Sequence, residues 1–158
     1  MRLVNQIVLH CTFTQPTATP NDVINAWRSI IGNDTPICHS IFETNGARVD
    51  FAPWEETTYG VKGYNKHIIS IGYIGGLNEY GVRADTRTCE QKSAMFEYIK
   101  QIKQQYPRAY VLGHNQMPNK TTSCPNFHGS SWFMSALLEE LQTGQYNPCS
   151  GGGGGINP

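Results

Sequence analysis

Two apolar runs constrain the fold of this chain more than any other feature. The segments VNQIVLH (residues 4–10) and HIISIGYIGG (residues 67–76) are rich in valine or isoleucine and contain few polar residues. Short, almost continuous apolar segments of this kind are typical of strands in the interior of a sheet. The two runs therefore predict central strands of a sheet that other elements must cover.

Three further segments carry the signals of amphipathic helices. The first begins with a Thr-Pro pair, which supplies an N-cap side chain and a proline at the first helical position. The second begins with a threonine followed three residues later by glutamine, which is a capping box, and keeps one apolar stripe until a proline ends it. The predicted helices extend from Thr19 to Gly32, from Thr88 to Pro107, and from Ser130 or Ser131 to Leu141.

The remaining segments indicate a hairpin, a short strand and a long loop. CHSIFETNGARVDFA (residues 38–52) contains a strand, an Asn-Gly turn and a second strand, which is a strong hairpin signal. AYVLG (residues 109–113) is a short strand, and the polar residues 52–66 form a surface loop. The mixture of strands, helices and a hairpin predicts an α/β (α+β) fold, a single domain with a central mixed β-sheet flanked by helices. We expect this domain to cover residues 1–143 and the glycine-rich residues 144–158 to form a flexible tail.

Composition excludes several classes of function. The 12 lysine and arginine residues balance 12 aspartate and glutamate residues, so no basic surface for nucleic acid is expected. No apolar run reaches the length of a signal peptide or a membrane span, which predicts cytoplasmic synthesis and no membrane partner. The five cysteines are odd in number and irregularly spaced, so a disulfide scaffold is not expected. Each cysteine is interpreted as a small buried residue, a reactive thiol or a metal ligand.

Three potential metal ligands stand at or after predicted strand ends. His10 ends the first apolar run, His114 follows the strand AYVLG, and Cys124 lies in the loop after it. Neighbouring strands would bring the two histidines together, and two imidazoles with one thiolate form a zinc site whose fourth position is open for water. Spacing alone does not separate this hypothesis from a structural role, which is the more common role of a strand-end histidine or a buried cysteine.

Five stretches, in the same order along the chain, resemble a known enzyme family across residues 5–140. The family is that of the zinc-dependent N-acetylmuramoyl-L-alanine amidases, which includes phage lysozyme-type amidases and animal peptidoglycan recognition proteins. The resemblance implies that His10, His114 and Cys124 bind zinc, and that peptidoglycan is the partner. It also implies the reaction, hydrolysis of the amide between the lactyl group of N-acetylmuramic acid and the L-alanine of the stem peptide. The stretches are IVLHCTFTQP, CHSIFETNGARVD, KGYNKHIISIGYIGGL, DTRTCEQKSAMFEYIKQI and GHNQMPNKTTSCPNF.

The chain departs from the family pattern at three positions. Cys38 stands where the family has a tyrosine that assists the zinc-bound water, and Gly60, beside Tyr59, stands where many members have a histidine. Thr122 replaces a lysine of the phage members, although recognition-protein amidases have threonine there. We predict catalytic roles for Thr122, which would donate a hydrogen bond to the oxyanion, and for Cys38 and Tyr59. Tyr59 or Lys120 would replace the missing groups if the loops fold inward; the alternative is that the loop presents Tyr59 to solvent.

Three functions remain open on the sequence alone. The first is a cell-wall amidase of the phage or prophage endolysin type, a monomer that acts on the wall after release from the cytoplasm. The second is a recognition module that binds peptidoglycan and zinc but hydrolyses little, which the loss of the family tyrosine at Cys38 favours. The third is a structural zinc protein, against which the open fourth position argues. Retention of all three predicted ligands favours the enzyme, because binding alone does not need an open zinc ion.

Overall fold

The computed structural model describes residues 1–149 and arranges them as five strands and three helices. The helices are α1 (Pro20–Ile31), α2 (Cys89–Gln105) and α3 (Gly129–Thr143). The strands are β1 (Gln6–Cys11), β2 (Ser40–Phe42), β3 (Arg48–Asp50), β4 (Ile68–Tyr73) and β5 (Tyr110–Gly113). Short 3-10 turns at Asn65–His67 and His114–Gln116 precede β4 and follow β5. Among residues 1–149, no helix has both the length and the apolar character needed to cross a membrane.

The strands form one mixed sheet in the order β3-β2-β4-β1-β5. β1 is parallel to both β4 and β5, β2 is parallel to β4, and β3 pairs with β2 as an antiparallel hairpin. The two apolar runs supply the central strands β1 and β4, which confirms the predicted α/β fold with a central mixed sheet. Because β4, β1 and β5 are parallel neighbours, their carboxyl ends meet at one edge of the sheet.

Helices α2 and α3 cover one face of the sheet. Successive side chains of a strand point to opposite faces, and Ile7 and Leu9 of β1 belong to the cluster that meets these helices. This cluster has the most buried members of the three apolar clusters and is the main core of the domain. Burial of its large apolar side chains is the dominant stabilising term in folding. Other members of the cluster include Ile69, Ile71, Tyr73, Met95, Phe96, Ile99, Ile102 and Phe133.

The opposite face of the sheet carries His10. Alternation places Val8 and His10 on this face, in register with Ser70 and Gly72 of β4. Two smaller apolar clusters cover it, one around α1 and one formed by the loops that follow β3 and β5. Their buried members are Val23, Trp27, Cys38, Ile41 and Ile74 in the first cluster, and Val8, Val61, Ile68 and Met117 in the second.

Capping at the helix ends confirms two of the three predicted starts. Thr19 caps α1 and Thr88 caps α2, each in a reciprocal capping box, and Gly32 ends α1 in the left-handed conformation. Helix α3 begins earlier than predicted, because its cap is His128, whose Nδ1 accepts a hydrogen bond from the backbone N–H of Ser131 at 3.3 Å. A histidine is not among the preferred cap residues, so the sequence carried no start signal there.

The chain after α3 packs back against the domain. The Tyr146 hydroxyl accepts a hydrogen bond from Trp132 Nε1 at 3.0 Å, and Cys149 forms a disulfide with Cys89 at the start of α2. The expectation that the cysteines do not pair is therefore wrong for Cys89 and Cys149. These two residues are 60 positions apart in sequence, and only the folded chain brings them together. The predicted flexible tail begins with this packed segment, and its residues 150–158 lie outside the part of the chain that the structure describes.

Candidate metal centre

Two strand ends and one loop bring the three predicted ligands together. His10 is the penultimate residue of β1, and His114 follows β5 directly, so the parallel pairing of β1 with β5 puts both at one edge of the sheet. The loop after β5 then returns Cys124 to this edge. The ligand atoms of the three side chains all lie within 4.8 Å of one another. His10 Nδ1 is 3.8 Å from Cys124 Sγ, and the two imidazole centroids are 4.9 Å apart.

Hydrogen bonds hold the loop that carries Cys124. The backbone N–H of Cys11 donates to Cys124 Sγ at 3.3 Å, and the backbone N–H of Asn115 donates to the Cys124 carbonyl at 2.7 Å. Asn126 has a left-handed φ of 70°, and its Nδ2 donates to two carbonyls of the loop after β4, at 2.8 and 3.0 Å. The thiol is therefore fixed relative to β1 by several contacts that do not involve a metal.

Burial favours the neutral form of both histidines. His10 is 3% exposed, and burial, together with repulsion from His114 and His39, holds the pKa of His10 well below its usual value. Burial also lowers the pKa of His114, and the charge of Lys120 adds to this effect. A neutral imidazole keeps one nitrogen with a free lone pair, which is the form that binds metals.

The donor set suits zinc better than a hard cation. Two imidazole nitrogens and one sulfur are typical zinc ligands, whereas Mg²⁺ and Ca²⁺ prefer oxygen. A tetrahedral zinc ion with Zn–N and Zn–S bonds of about 2.1 and 2.3 Å would separate those two ligand atoms by roughly 3.6 Å. The 3.8 Å between His10 Nδ1 and Cys124 Sγ fits this value. The side-chain contact with the Cys11 thiol and burial raise the pKa of the Cys124 thiol, whereas the Cys11 backbone N–H lowers it. A bound cation would also oppose the upward shift by stabilising the thiolate.

Thr122 lies beside the ligand cysteine. Its Oγ1 accepts a hydrogen bond from the backbone N–H of Cys124 at 3.1 Å. A hydroxyl that accepts one hydrogen bond still has its own proton to donate. The Thr122 hydroxyl is thus available as a donor within two residues of a ligand.

Lys120 links the ligand loop to the loop before β4. Its Nζ donates to the carbonyl of Lys62 at 3.1 Å and lies 5.9 Å from the centre of the Tyr64 ring. The ammonium group is therefore held near the site by the backbone of another loop, and its charge reaches His114.

The other two predicted catalytic positions are a buried thiol and a surface phenol. Cys38 is 2% exposed and belongs to the apolar cluster around α1, and burial raises the pKa of its thiol. Tyr59 is 53% exposed and lines a surface pocket of about 640 Å³, none of whose lining residues is one of the three ligands. In the described part of the chain, no hydrogen bond joins either side chain to the ligands.

A buried serine that the sequence did not single out stands behind His10. Ser70 Oγ lies 3.2 Å from His10 Nε2, the ring nitrogen opposite to the one that faces Cys124. The backbone N–H of Ser70 donates to Nδ1 of the buried His39 at 3.0 Å. A hydroxyl in an otherwise apolar, fully buried strand must find a partner, and that is the signal by which the sequence could have revealed Ser70.

Known proteins are similar to this chain in sequence and in fold. The family model described as N-acetylmuramoyl-L-alanine amidase matches residues 1–127, a range that contains the three ligands and Thr122. The endolysin of Enterobacteria phage K11 is 25% identical over 138 residues, which cover 85% of this chain and 88% of that protein. The endolysin of Klebsiella phage KP32 is 26% identical over 133 residues, which cover 82% and 85%. Among solved structures, the N-acetylmuramoyl-L-alanine amidase LysC from Clostridium intestinale has the same fold, with a TM-score of 0.71 at 19% identity over 87% of each chain.

Proposed function

Because the chain belongs to the N-acetylmuramoyl-L-alanine amidase family, we propose that it cleaves its substrate at a zinc ion held by His10, His114 and Cys124. The protein is a cell-wall amidase, which hydrolyses the amide between N-acetylmuramic acid and L-alanine in peptidoglycan. The observation that supports the zinc site is the convergence of two imidazole nitrogens and one thiol within 4.8 Å at one edge of the sheet.

The three proposed ligands offer zinc a partly prepared site. Zinc, when bound, lowers the pKa of a water molecule and polarises a carbonyl oxygen, which is the chemistry that amide hydrolysis requires. Burial lowers the pKa of His10 and of His114, so neither has to lose a proton at neutral pH before binding. The Cys11 N–H contact holds the sulfur in place, which reduces the cost of ordering the loop around the ion.

We assign the oxyanion contact to Thr122. During hydrolysis the carbonyl carbon becomes tetrahedral and its oxygen gains negative charge. A donor that is already oriented stabilises this charge without reorganisation, and the Thr122 oxygen is oriented by its contact with the Cys124 N–H. Its free proton is then available for the substrate oxygen.

Tyr59 is the proposed proton donor to the leaving amine. Its phenol is half exposed in a pocket that none of the three ligands lines, so this role requires the loop of residues 52–66 to fold inward when substrate binds. The Cys38 thiol is a weaker candidate for proton transfer, because it is buried and its pKa is raised. We propose that Cys38 acts through packing, since its Sγ lies 3.2 Å from the place that a Cβ of Gly72 would take.

One observation favours a second candidate function, a peptidoglycan-binding module with little hydrolysis. The resemblance of the sequence to the family puts Cys38 at the position of the family's tyrosine, and a thiol cannot replace a phenol in reach or in hydrogen bonding. We further propose that the protein is made in the cytoplasm, acts on the cell wall after release, and works as a monomer.

Muropeptides incubated with the purified protein, with and without a chelator, test both functions. We expect free stem peptide with a new L-alanine amino terminus, a sugar that keeps its lactyl carboxylate, and loss of both products on chelation. New reducing-end sugars would indicate a glycosidase, and unchanged muropeptide would favour the binding module.

Elemental analysis tests the ligand assignment. The wild-type protein should contain about one zinc ion per chain, and His114→Ala should lose it. His67→Ala, which removes an exposed histidine outside the ligand group, is the matched control and should keep it. A His114→Ala protein with full zinc content would refute the assignment.

A further inference from the structure

We propose that Ser70 is a positioning residue for His10, because its hydroxyl accepts the Nε2 proton and thereby leaves Nδ1 free for the metal. This inference rests on the proposed metal site. Ser70 Oγ is 3.2 Å from His10 Nε2, and the opposite nitrogen, Nδ1, is 3.8 Å from Cys124 Sγ. A neutral imidazole that binds a metal through Nδ1 carries its proton on Nε2, so both contacts select the same tautomer.

The surrounding strands hold Ser70 in place. Its backbone carbonyl accepts from the N–H of His39 at 2.8 Å, and its backbone N–H donates to His39 Nδ1 at 3.0 Å. Because Nδ1 accepts, the neutral ring carries its proton on Nε2, which lies 3.0 Å from the Glu56 carbonyl and 3.2 Å from the Arg2 guanidinium. Ser70 is 0% exposed, so water does not compete for its hydroxyl. The serine is thus a rigid acceptor and not a mobile surface group.

Gly60 provides the room for this contact. A Cβ at Gly60 would collide with Ser70 Oγ and lie 2.8 Å from Ser70 Cβ. The resemblance to the family implies a histidine at this place in many members, where this chain has Gly60. In this chain, the missing side chain at Gly60 allows the Ser70 hydroxyl to lie against His10.

Zinc affinity, measured by competition with a chelator, tests the inference. Ser70→Ala should bind zinc about 10- to 100-fold more weakly than the wild-type protein, which is the usual effect of removing a hydrogen-bond partner of a metal-binding histidine. Ser40→Ala is the matched control and should bind zinc as the wild type does. Ser40 is an equally buried serine on the neighbouring strand β2, and its hydroxyl contacts Asp50 and Tyr98 instead of a histidine. Wild-type affinity in Ser70→Ala, or an equal loss in Ser40→Ala, would overturn the inference.

A second measurement does not depend on the metal. Nitrogen NMR of metal-free, histidine-labelled protein reports which nitrogen of His10 carries the proton. We expect the proton on Nε2 in the wild type, protected from exchange by Ser70, and loss of that protection in Ser70→Ala. A proton on Nδ1 in the wild type would overturn the inference. A wild-type protein that binds no zinc would instead refute the proposed metal site, and the NMR result would still decide whether Ser70 selects the tautomer.

Discussion

Thr122→Val tests the oxyanion assignment directly, because valine keeps the shape of threonine and lacks its hydroxyl. In the structure the Thr122 oxygen accepts a hydrogen bond from the Cys124 N–H at 3.1 Å, and its proton is free for a substrate. The substitution therefore removes one catalytic donor and one structural acceptor. The first loss lowers the rate, and the second lowers the free energy of unfolding.

The two effects differ enough in size to be separated. Loss of one oxyanion donor typically costs about 2.7–4 kcal/mol, on the order of a hundred- to a thousand-fold in kcat. A buried N–H without a partner costs about 1–3 kcal/mol, and because the Cys124 contact is only partly buried we expect roughly 1 kcal/mol. Domains are stable by about 5–15 kcal/mol, so this loss leaves nearly all of the protein folded. Unfolding therefore cannot explain the expected fall in rate.

The assay combines kcat on muropeptides, read by mass spectrometry, with zinc content and denaturant unfolding. Thr122→Ser keeps the hydroxyl and should keep most of the rate. Thr121→Val changes the neighbouring, exposed threonine and should alter none of the three measurements. The assignment is refuted if Thr122→Val retains the wild-type rate, or if Thr122→Ser loses as much rate as Thr122→Val does.

Four other expectations follow from the same contacts. Chelation should abolish hydrolysis and lower the melting temperature but preserve the circular dichroism spectrum, because the main core lies against α2 and α3; a chelated protein that unfolds would contradict this. Burial lowers the pKa of His10 and of His39, so the unfolded chain binds protons first as pH falls. Denaturant unfolding of the metal-free protein should show stability decreasing below about pH 6.5, by up to about 1.4 kcal/mol per histidine per pH unit, and a rise in stability there would be inconsistent. Cys38→Tyr should overpack its cluster, lowering the free energy of unfolding by about 1–3 kcal/mol without raising kcat; a faster variant would mean that the site still accommodates the phenol. Gly60→Ala should displace the Ser70 hydroxyl and weaken zinc binding in the chelator competition, and unchanged affinity would argue against this contact.

Local signals in the sequence determined most of the secondary structure. The apolar runs predicted β1 and β4, the capping boxes at Thr19 and Thr88 predicted the starts of two helices, and the Asn-Gly turn predicted the hairpin. Each of these signals depends on residues within a few positions of one another, so it is visible without the fold. The start of α3 was predicted one or two residues too late, because its cap is the ring of His128, which local preference does not mark.

The sequence by itself also determined the family, the types of the candidate ligands and their order, whereas the tertiary structure decided which residues meet. The sheet order makes β1 and β5 neighbours, and this pairing brings His10 to His114. Packing of distant elements also buries Cys38 beneath α1, puts the Ser70 hydroxyl against His10, and pairs the cysteines at the start of α2 and after α3. The physical reason is that helix caps, turns and strand patterns depend on near neighbours in the chain, while burial and side-chain contacts depend on elements that only folding brings together.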